Sequence, residues 1–161
     1  MIGPKTMTKT YSIRDCRTIE LNKISDDRGN LSFVEGGNHI PFEIQRIYYI
    51  YDVHAGSQRA GHAHKTLFQF LIPVSGSFDV HLDDAFEQSK VTLNRPYLGL
   101  LITPFIWRTI DNFSSGAVCL ALASTPFEEA DYYRNYDEFV ASAHKLRAVP
   151  FSQTIPAEAK I

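Results

Sequence analysis

Cysteine is almost missing from this chain: Cys16 and Cys119 are the only two, far apart and without a Cys-x-x-Cys spacing. That excludes a disulfide framework and a thiolate metal site as organising features. Both are read as reduced thiols, Cys119 inside a core strand. An excess of positive charge is missing too, since 16 Lys and Arg stand against 18 Asp and Glu for a net charge of -2. Such a chain has no basic field for a phosphate backbone, so a nucleic acid polymer is not an expected partner. No run approaches the ~18 apolar residues of a membrane span, and the opening segment MIGPKTMTKT has no apolar secretory core. The expectation is a cytoplasmic protein without a membrane partner. Internal repeats and low-complexity tracts are absent, and helical periodicity is scarce before residue 128.

What is present is β-branched and aromatic residues alternating with period two between turn signals. The pattern predicts strands at Thr18–Leu21, Leu31–Glu35, Ile44–Val53, Arg59–His64, Leu67–Val74, Ser77–Leu82, Val91–Leu93, Tyr97–Ile102, Ile106–Asp111 and Ala117–Ala123. Asp26-Asp27-Arg28-Gly29-Asn30, Val74-Ser75-Gly76-Ser77, the polar segment 83–89, Asn94-Arg95-Pro96 and Ser114-Ser115-Gly116 carry the turn chemistry between them. So many short strands fit a sandwich or barrel. Thr125-Pro126-Phe127-Glu128-Glu129 resembles a helix start, and Tyr136–Leu146 is a second helix candidate. A chain of 161 residues, 44% hydrophobic, closes one well-buried core. The expected organisation is a single all-β domain over 1–161, with a core at about 18–125 and a helical cap and tail at 126–161. The part after Ala148, with Pro150 and Pro156, reads as a tail or an arm packed on a neighbour.

The sharpest local feature is Gly61-His62-Ala63-His64 inside a predicted strand. Alternation puts both imidazoles on one face, and two imidazoles side by side are costly in a dry core unless a ligand completes the site. A His-x-His pair on a β-barrel strand, followed by the hairpin glycine Gly76, is the first half of the cupin motif, in which a Glu and a distant His complete a metal site. Here the Glu slot falls on Phe68 or Gln69, and the distant His slot on Trp107-Arg108. A guanidinium cannot ligate a metal, and two ring nitrogens plus an amide fall short of a transition-metal shell. The expected site is therefore cupin in shape and metal-free. Imidazole titrates near neutral pH and can act as base and then acid, so a histidine pair suits proton movement next to a carbonyl. Arg28, Arg46 and Arg59 are candidate diphosphate clamps, because guanidinium matches phosphate oxygens bidentately. His39, His54, His81 and His144 have no partner spacing, and Tyr132, Tyr133 and Tyr136 read mainly as packing for the cap.

Arg46-Ile47-Tyr48-Tyr49-Ile50, Arg59-Ala60-Gly61-His62-Ala63-His64-Lys65, Leu82-Asp83-Asp84, Pro104-Phe105-Ile106-Trp107, Asp111-Asn112-Phe113-Ser114-Ser115, Leu122-Ala123-Ser124 and Asp131-Tyr132-Tyr133-Arg134-Asn135-Tyr136-Asp137 occur in that order. With these runs the chain resembles the dTDP-4-keto-6-deoxyglucose 3,4-ketoisomerases over about residues 20–140. The resemblance implies a cupin-type β-barrel, or jelly roll, with short C-terminal helices. It also implies a homodimer and a cofactor-independent isomerisation of a dTDP-linked 4-keto-6-deoxy sugar through an enediol. The 3-keto product would feed 3-amino-3,6-dideoxy sugars of cell-surface glycans such as lipopolysaccharide or S-layer chains. His64 is then the expected main base, His62 its partner and Arg108 a further catalytic residue. Arg28, Arg46, Tyr48, Arg59, Gln69 and Trp107 are the expected substrate-binding residues, with no metal and no cofactor. Many relatives carry Glu where this chain has Phe68 and Trp-His where it has Trp107-Arg108. An Arg at position 108 is found in some gluco-forming relatives, while the Asp-x-Arg-Gly turn at Arg28 is more like galacto-forming ones. Two other readings stay open at this point: a non-catalytic sugar-nucleotide-binding cupin, and a metal-dependent cupin oxygenase using His62, His64 and Gln69.

Overall fold

The computed structural model describes residues 9–148. The segment after Ala148, including Pro150 and Pro156, lies outside the described residues. Among the described residues twelve strands precede one α-helix: β1 Arg17–Glu20, β2 Ile24–Asp26, β3 Gly29–Leu31, β4 Arg46–Ile50, β5 Arg59–His64, β6 Gln69–Ser75, β7 Phe78–Asp83, β8 Gln88–Leu93, β9 Leu98–Ile102, β10 Trp107–Asp111, β11 Val118–Ala123, β12 Tyr132–Tyr133 and α1 Tyr136–Ala148. They form two five-stranded antiparallel sheets, ordered β1-β9-β6-β11-β4 and β12-β5-β10-β7-β8, plus a β2-β3 hairpin. This is the expected all-β jelly roll, with the two sheets facing each other rather than closed into a hydrogen-bonded barrel.

Alternation along each strand fills the space between the sheets. Leu71, Phe78, Val80, Leu82, Leu100, Ile102, Ile110, Cys119 and Ala121 point inward and form the main core. Burial pushes the Cys119 thiol up to about 12, as for an inert core cysteine. A second apolar layer, with Phe70, Ile72, Leu101 and Leu122 of the first sheet, lies on that sheet's opposite face under Leu21, Ile40 and Phe42. The tight β6-β7 turn needs its glycine: Gly76 has φ +66°, and a Cβ there would come within 2.5 Å of Ser114 Oγ. Helix α1 starts where Asn135 Oδ1 accepts the Glu138 amide, carries Asp137 and Glu138 in its first turn and Lys145 and Arg147 in its last. Its Phe139 and Ala143 cover Ala63 on the outside of the second sheet.

Two expected elements are corrected. Of the predicted strand Leu31–Glu35 only Leu31 is paired, as the end of β3 in the β2-β3 hairpin, where Ser25 and Asn30 bond across the Asp26–Gly29 turn and Gly29 adopts φ +133°; residues 32–35 leave the ladder. The expected helix start at Thr125–Glu129 yields only a single 3-10 turn, Glu129–Asp131, since the chain then pairs with β5 as β12.

Candidate active site

One end of the space between the sheets opens into a cavity of about 510 Å³. The first sheet supplies Arg46, Tyr48 and Gln69, the second supplies Arg59, His62 and Arg108, and the segment after β11 adds Phe127, Tyr132 and Arg134. Arg108 lies directly opposite His62 in the β10-β5 pairing, so both side chains leave their strands on the cavity side. The pairing slips just before this point: Thr109 faces Ala60 while Arg108 faces His62, which leaves Gly61 as an extra residue. Ala60 and Gly61 take φ +65° and +74° to form this bulge. A left-handed alanine carries backbone strain that the surrounding pairs must hold, as is common beside functional sites.

His64 sits one step deeper than His62. Its residue is 0% exposed, the two rings meet edge to face at 4.9 Å, and Tyr132 packs on both, 4.2 Å from His64 and 5.0 Å from His62. His64 Nδ1 lies 3.1 Å from Asp131 Oδ2, while Nε2 of each histidine is buried with no protein partner. Arg108 is 1% exposed, and all three of its side-chain nitrogens are buried without a partner. Buried polar groups are nearly always satisfied, so five unpaired nitrogens around one cavity mark the place a polar ligand completes. Arg46 adds two more, Nε and Nη2, with its guanidinium over the Tyr48 and Phe127 rings at 5.5 Å each. Gln69 Nε2 donates to Tyr48 Oη at 2.6 Å, which leaves the phenolic proton free for an acceptor in the cavity.

The electrostatics are lopsided. Burial, and then the Arg108 charge, lower the His62 pKa to about 3 and push His64 down as well, so both imidazoles are neutral bases at neutral pH. Burial also lowers Arg108 to about 10, still a cation at neutral pH, and raises Tyr48 to about 12, so it keeps its proton. Arg134 is held by Glu129 through Nε and Nη2 and lies 4.3 Å over Tyr132. The arrangement offers neutral bases beside a fixed buried cation, with further guanidiniums at the rim. Among the described residues no three His, Cys, Asp or Glu side chains come together as a metal site.

Of the residues expected from the sequence, His62, Arg108, Arg46, Tyr48, Arg59 and Gln69 line the cavity, with His64 directly behind His62. Two are elsewhere. Trp107 leaves β10 on the outer face, against Tyr136 at 5.2 Å and Phe139 at 5.8 Å, because it precedes the inward Arg108 by one residue. Arg28 is 89% exposed at the hairpin tip, paired with Asp26, and is not at the cavity of its own chain. The sequence pattern missed Asp131, Phe127 and Arg134, and it took Tyr132 for packing. Tyr133 and Tyr136 do pack on Phe139, whereas Tyr132 faces the histidines. Only the β12-β5 pairing of Tyr132 with His64 brings that segment to the site, and no local spacing announces it.

A family model described as FdtA, WxcM-like, C-terminal matches residues 14–144. A TDP-4-oxo-6-deoxy-alpha-D-glucose-3,4-oxoisomerase from Aneurinibacillus thermoaerophilus is 42% identical over 123 residues, 76% of this chain and 88% of the relative. Among solved structures, a TDP-quinovose 3,4-ketoisomerase from Campylobacter jejuni is 46% identical, with a TM-score of 0.77 over 80% of this chain and 99% of its own. The sugar 3,4-ketoisomerase QdtA from Thermoanaerobacterium thermosaccharolyticum, in complex with TDP, is 40% identical, with a TM-score of 0.81 over 83% of this chain and 98% of its own.

Proposed function

The chain belongs to the FdtA, WxcM-like family, and from that membership and the cavity we propose that it is an isomerase converting dTDP-4-keto-6-deoxy-D-glucose to its 3-keto isomer. The observation that carries the proposal is the pair of neutral imidazoles with unpartnered Nε2 atoms beside the unpartnered guanidinium of Arg108. Relatives at about 40% identity bear isomerase names, which favours this reaction over a non-catalytic binding cupin or an oxygenase.

The C4 carbonyl acidifies the hydrogen at C3. His62, which lines the cavity, takes that proton on Nε2, and the C3–H electron pair forms a C3=C4 bond with negative charge on O4. Arg108 and the Tyr48 phenol stand ready to hold that oxygen, where preorganised donors act most strongly away from water. Return of a proton to C4 and transfer of the O3 hydroxyl proton to O4 leave a ketone at C3 and a hydroxyl at C4. Atoms and charge balance without an oxidant. This assignment makes His62 the contacting base and His64 its support, the reverse of the order expected from the sequence, since only His62 lines the cavity. Gln69 orients Tyr48, and Arg46, Arg59 and Arg134 are the clamp for the diphosphate.

The test is incubation with dTDP-4-keto-6-deoxyglucose in deuterated water, followed by NMR. A 3-keto product carrying solvent deuterium at C4 supports the proposal; no product and no exchange at C3 overturn it. We further assign the chain as a single domain over 1–161 and a homodimer in the cytoplasm, where nucleotide-activated sugars are made, contributing 3-amino-3,6-dideoxy sugars to surface glycans. The dimer is supported by apolar side chains left bare along the first sheet, with Ile47 59% and Tyr49 62% exposed on its edge strand β4. Sedimentation showing a monomer at micromolar concentration would count against it.

A further inference from the structure

We propose that Asp131, anchored by Thr66, is a positioning residue that fixes His64 as the Nδ1–H tautomer and so keeps an unprotonated Nε2 on the buried ring directly behind His62. This rests on the ketoisomerase proposal for its catalytic meaning, but the tautomer itself is a matter of hydrogen bonds alone.

Asp131 Oδ1 accepts two bonds, from the Thr66 amide at 2.8 Å and from Thr66 Oγ1 at 2.7 Å. Its main chain is tied to the same segment, because its carbonyl accepts the Lys65 amide at 2.8 Å. The carboxylate is thus immobilised against residues 64–66 before any side chain of the site is considered. Its remaining oxygen, Oδ2, faces His64 Nδ1 at 3.1 Å. If Nδ1 were bare, its lone pair on a fully buried ring would point at a carboxylate lone pair. A proton on Nδ1 turns that repulsion into a charge-assisted bond. A neutral imidazole then has no proton left for Nε2, which is buried and has no protein partner.

The surroundings explain why this is needed. Arg108, Arg46 and Arg134 all bear on His64, as does His62, and each disfavours a protonated ring. Asp131 is the carboxylate in hydrogen-bond contact with the pair. It lets the ring stay neutral in one defined orientation, and it offsets positive charge when His62 holds the substrate proton 4.9 Å away, ring to ring. With the other tautomer the Nε2 of His64 would carry an N–H, a donor, in surroundings where Arg108, Arg46 and Arg134 already place positive charge.

The experiment is ¹⁵N NMR of histidine-labelled protein, reading the protonation of each ring nitrogen, together with kinetics of Asp131→Asn and Thr66→Val. In the wild type His64 is expected to carry its proton on Nδ1. In Asp131→Asn the amide NH₂ turns toward Nδ1, the tautomer inverts, and kcat falls by about 10²–10⁴-fold with KM nearly unchanged. Thr66→Val keeps the Nδ1–H tautomer and gives a smaller loss. A wild-type His64 protonated on Nε2 overturns the proposal, as does an Asp131→Asn variant that folds and turns over normally. If Asp131→Asn does not fold, the wild-type spectrum and Thr66→Val still decide. If the wild type shows no turnover at all, it is the ketoisomerase assignment that fails, and the spectrum still tests the tautomer.

Discussion

The two faces of β10 are built on opposite terms. Inward, Arg108 is buried with three nitrogens unpaired. Outward, Trp107 packs on α1, and Asp111 bonds His81 Nε2 at 2.8 Å across the neighbouring strand. The same five residues therefore offer one face that is polar and unsatisfied and one that is complete by itself. Folding alone favours the second kind, since a buried unpaired charge opposes stability. The first kind persists where a ligand supplies the missing partners.

That contrast can be broken in steps. The largest effect is expected from His62→Asn, which keeps the shape but not the base. Turnover should fall by about 10²–10⁴-fold, with dTDP binding retained in calorimetry; full turnover would remove His62 from the reaction. Next, Arg108→Met should abolish or sharply reduce turnover while raising stability by about 1–4 kcal/mol in denaturant unfolding, because an apolar side chain of similar volume replaces a buried, unpaired charge. A destabilised Arg108→Met would mean that the guanidinium has partners in the folded protein. Arg108→His, analysed by NMR of the product, should change the rate or the configuration at C4.

A smaller effect concerns acid. The folded pKa of His62 is lowered to about 3 and that of His64 is also lowered, so between about pH 6.5 and 3 the unfolded chain binds more protons than the folded one. Stability should rise with pH across that window and be lost as pH falls through it, with a shallower slope in His62→Asn. An identical slope in both proteins would show that His62 titrates normally. The smallest effect belongs to the outer face: His81→Ala should leave turnover unchanged and cost about 1 kcal/mol or less, as for one solvent-accessible hydrogen bond. A loss of activity there would show that the outer face of β10 communicates with the inner.

Most strands were legible because period-two alternation and turn residues are local signals. His62 and His64 were placed on one face by that rule alone, and Arg59 was placed at the mouth by its nearness to His62, as was Arg28, which lies instead at the exposed hairpin tip. What local signals do not carry is the partner across a long loop. Asp131 is 67 residues from His64 and reaches it only because the segment after β11 folds back as β12. Trp107 lies away from the cavity for a different reason: it adjoins a site residue in sequence, and adjacency in a strand means opposite faces. The segment 31–35 failed because an apolar run can equally cover a sheet as extend one, and here Phe33 and Val34 line an apolar groove on the first sheet.

The bulge at Ala60–Gly61 settles a matter of parity. Arg59 and His62 are three positions apart, an odd number, and on a regular strand they would look in opposite directions. One residue without a partner on β10, Gly61, changes odd into even, so a proposed phosphate clamp and a proposed base come to share one wall. Copying Arg59 and His62 at the same spacing onto an unbulged strand of another scaffold would deliver one of them to the solvent. A single inserted residue is thus as much a part of this site's inheritance as either side chain it turns.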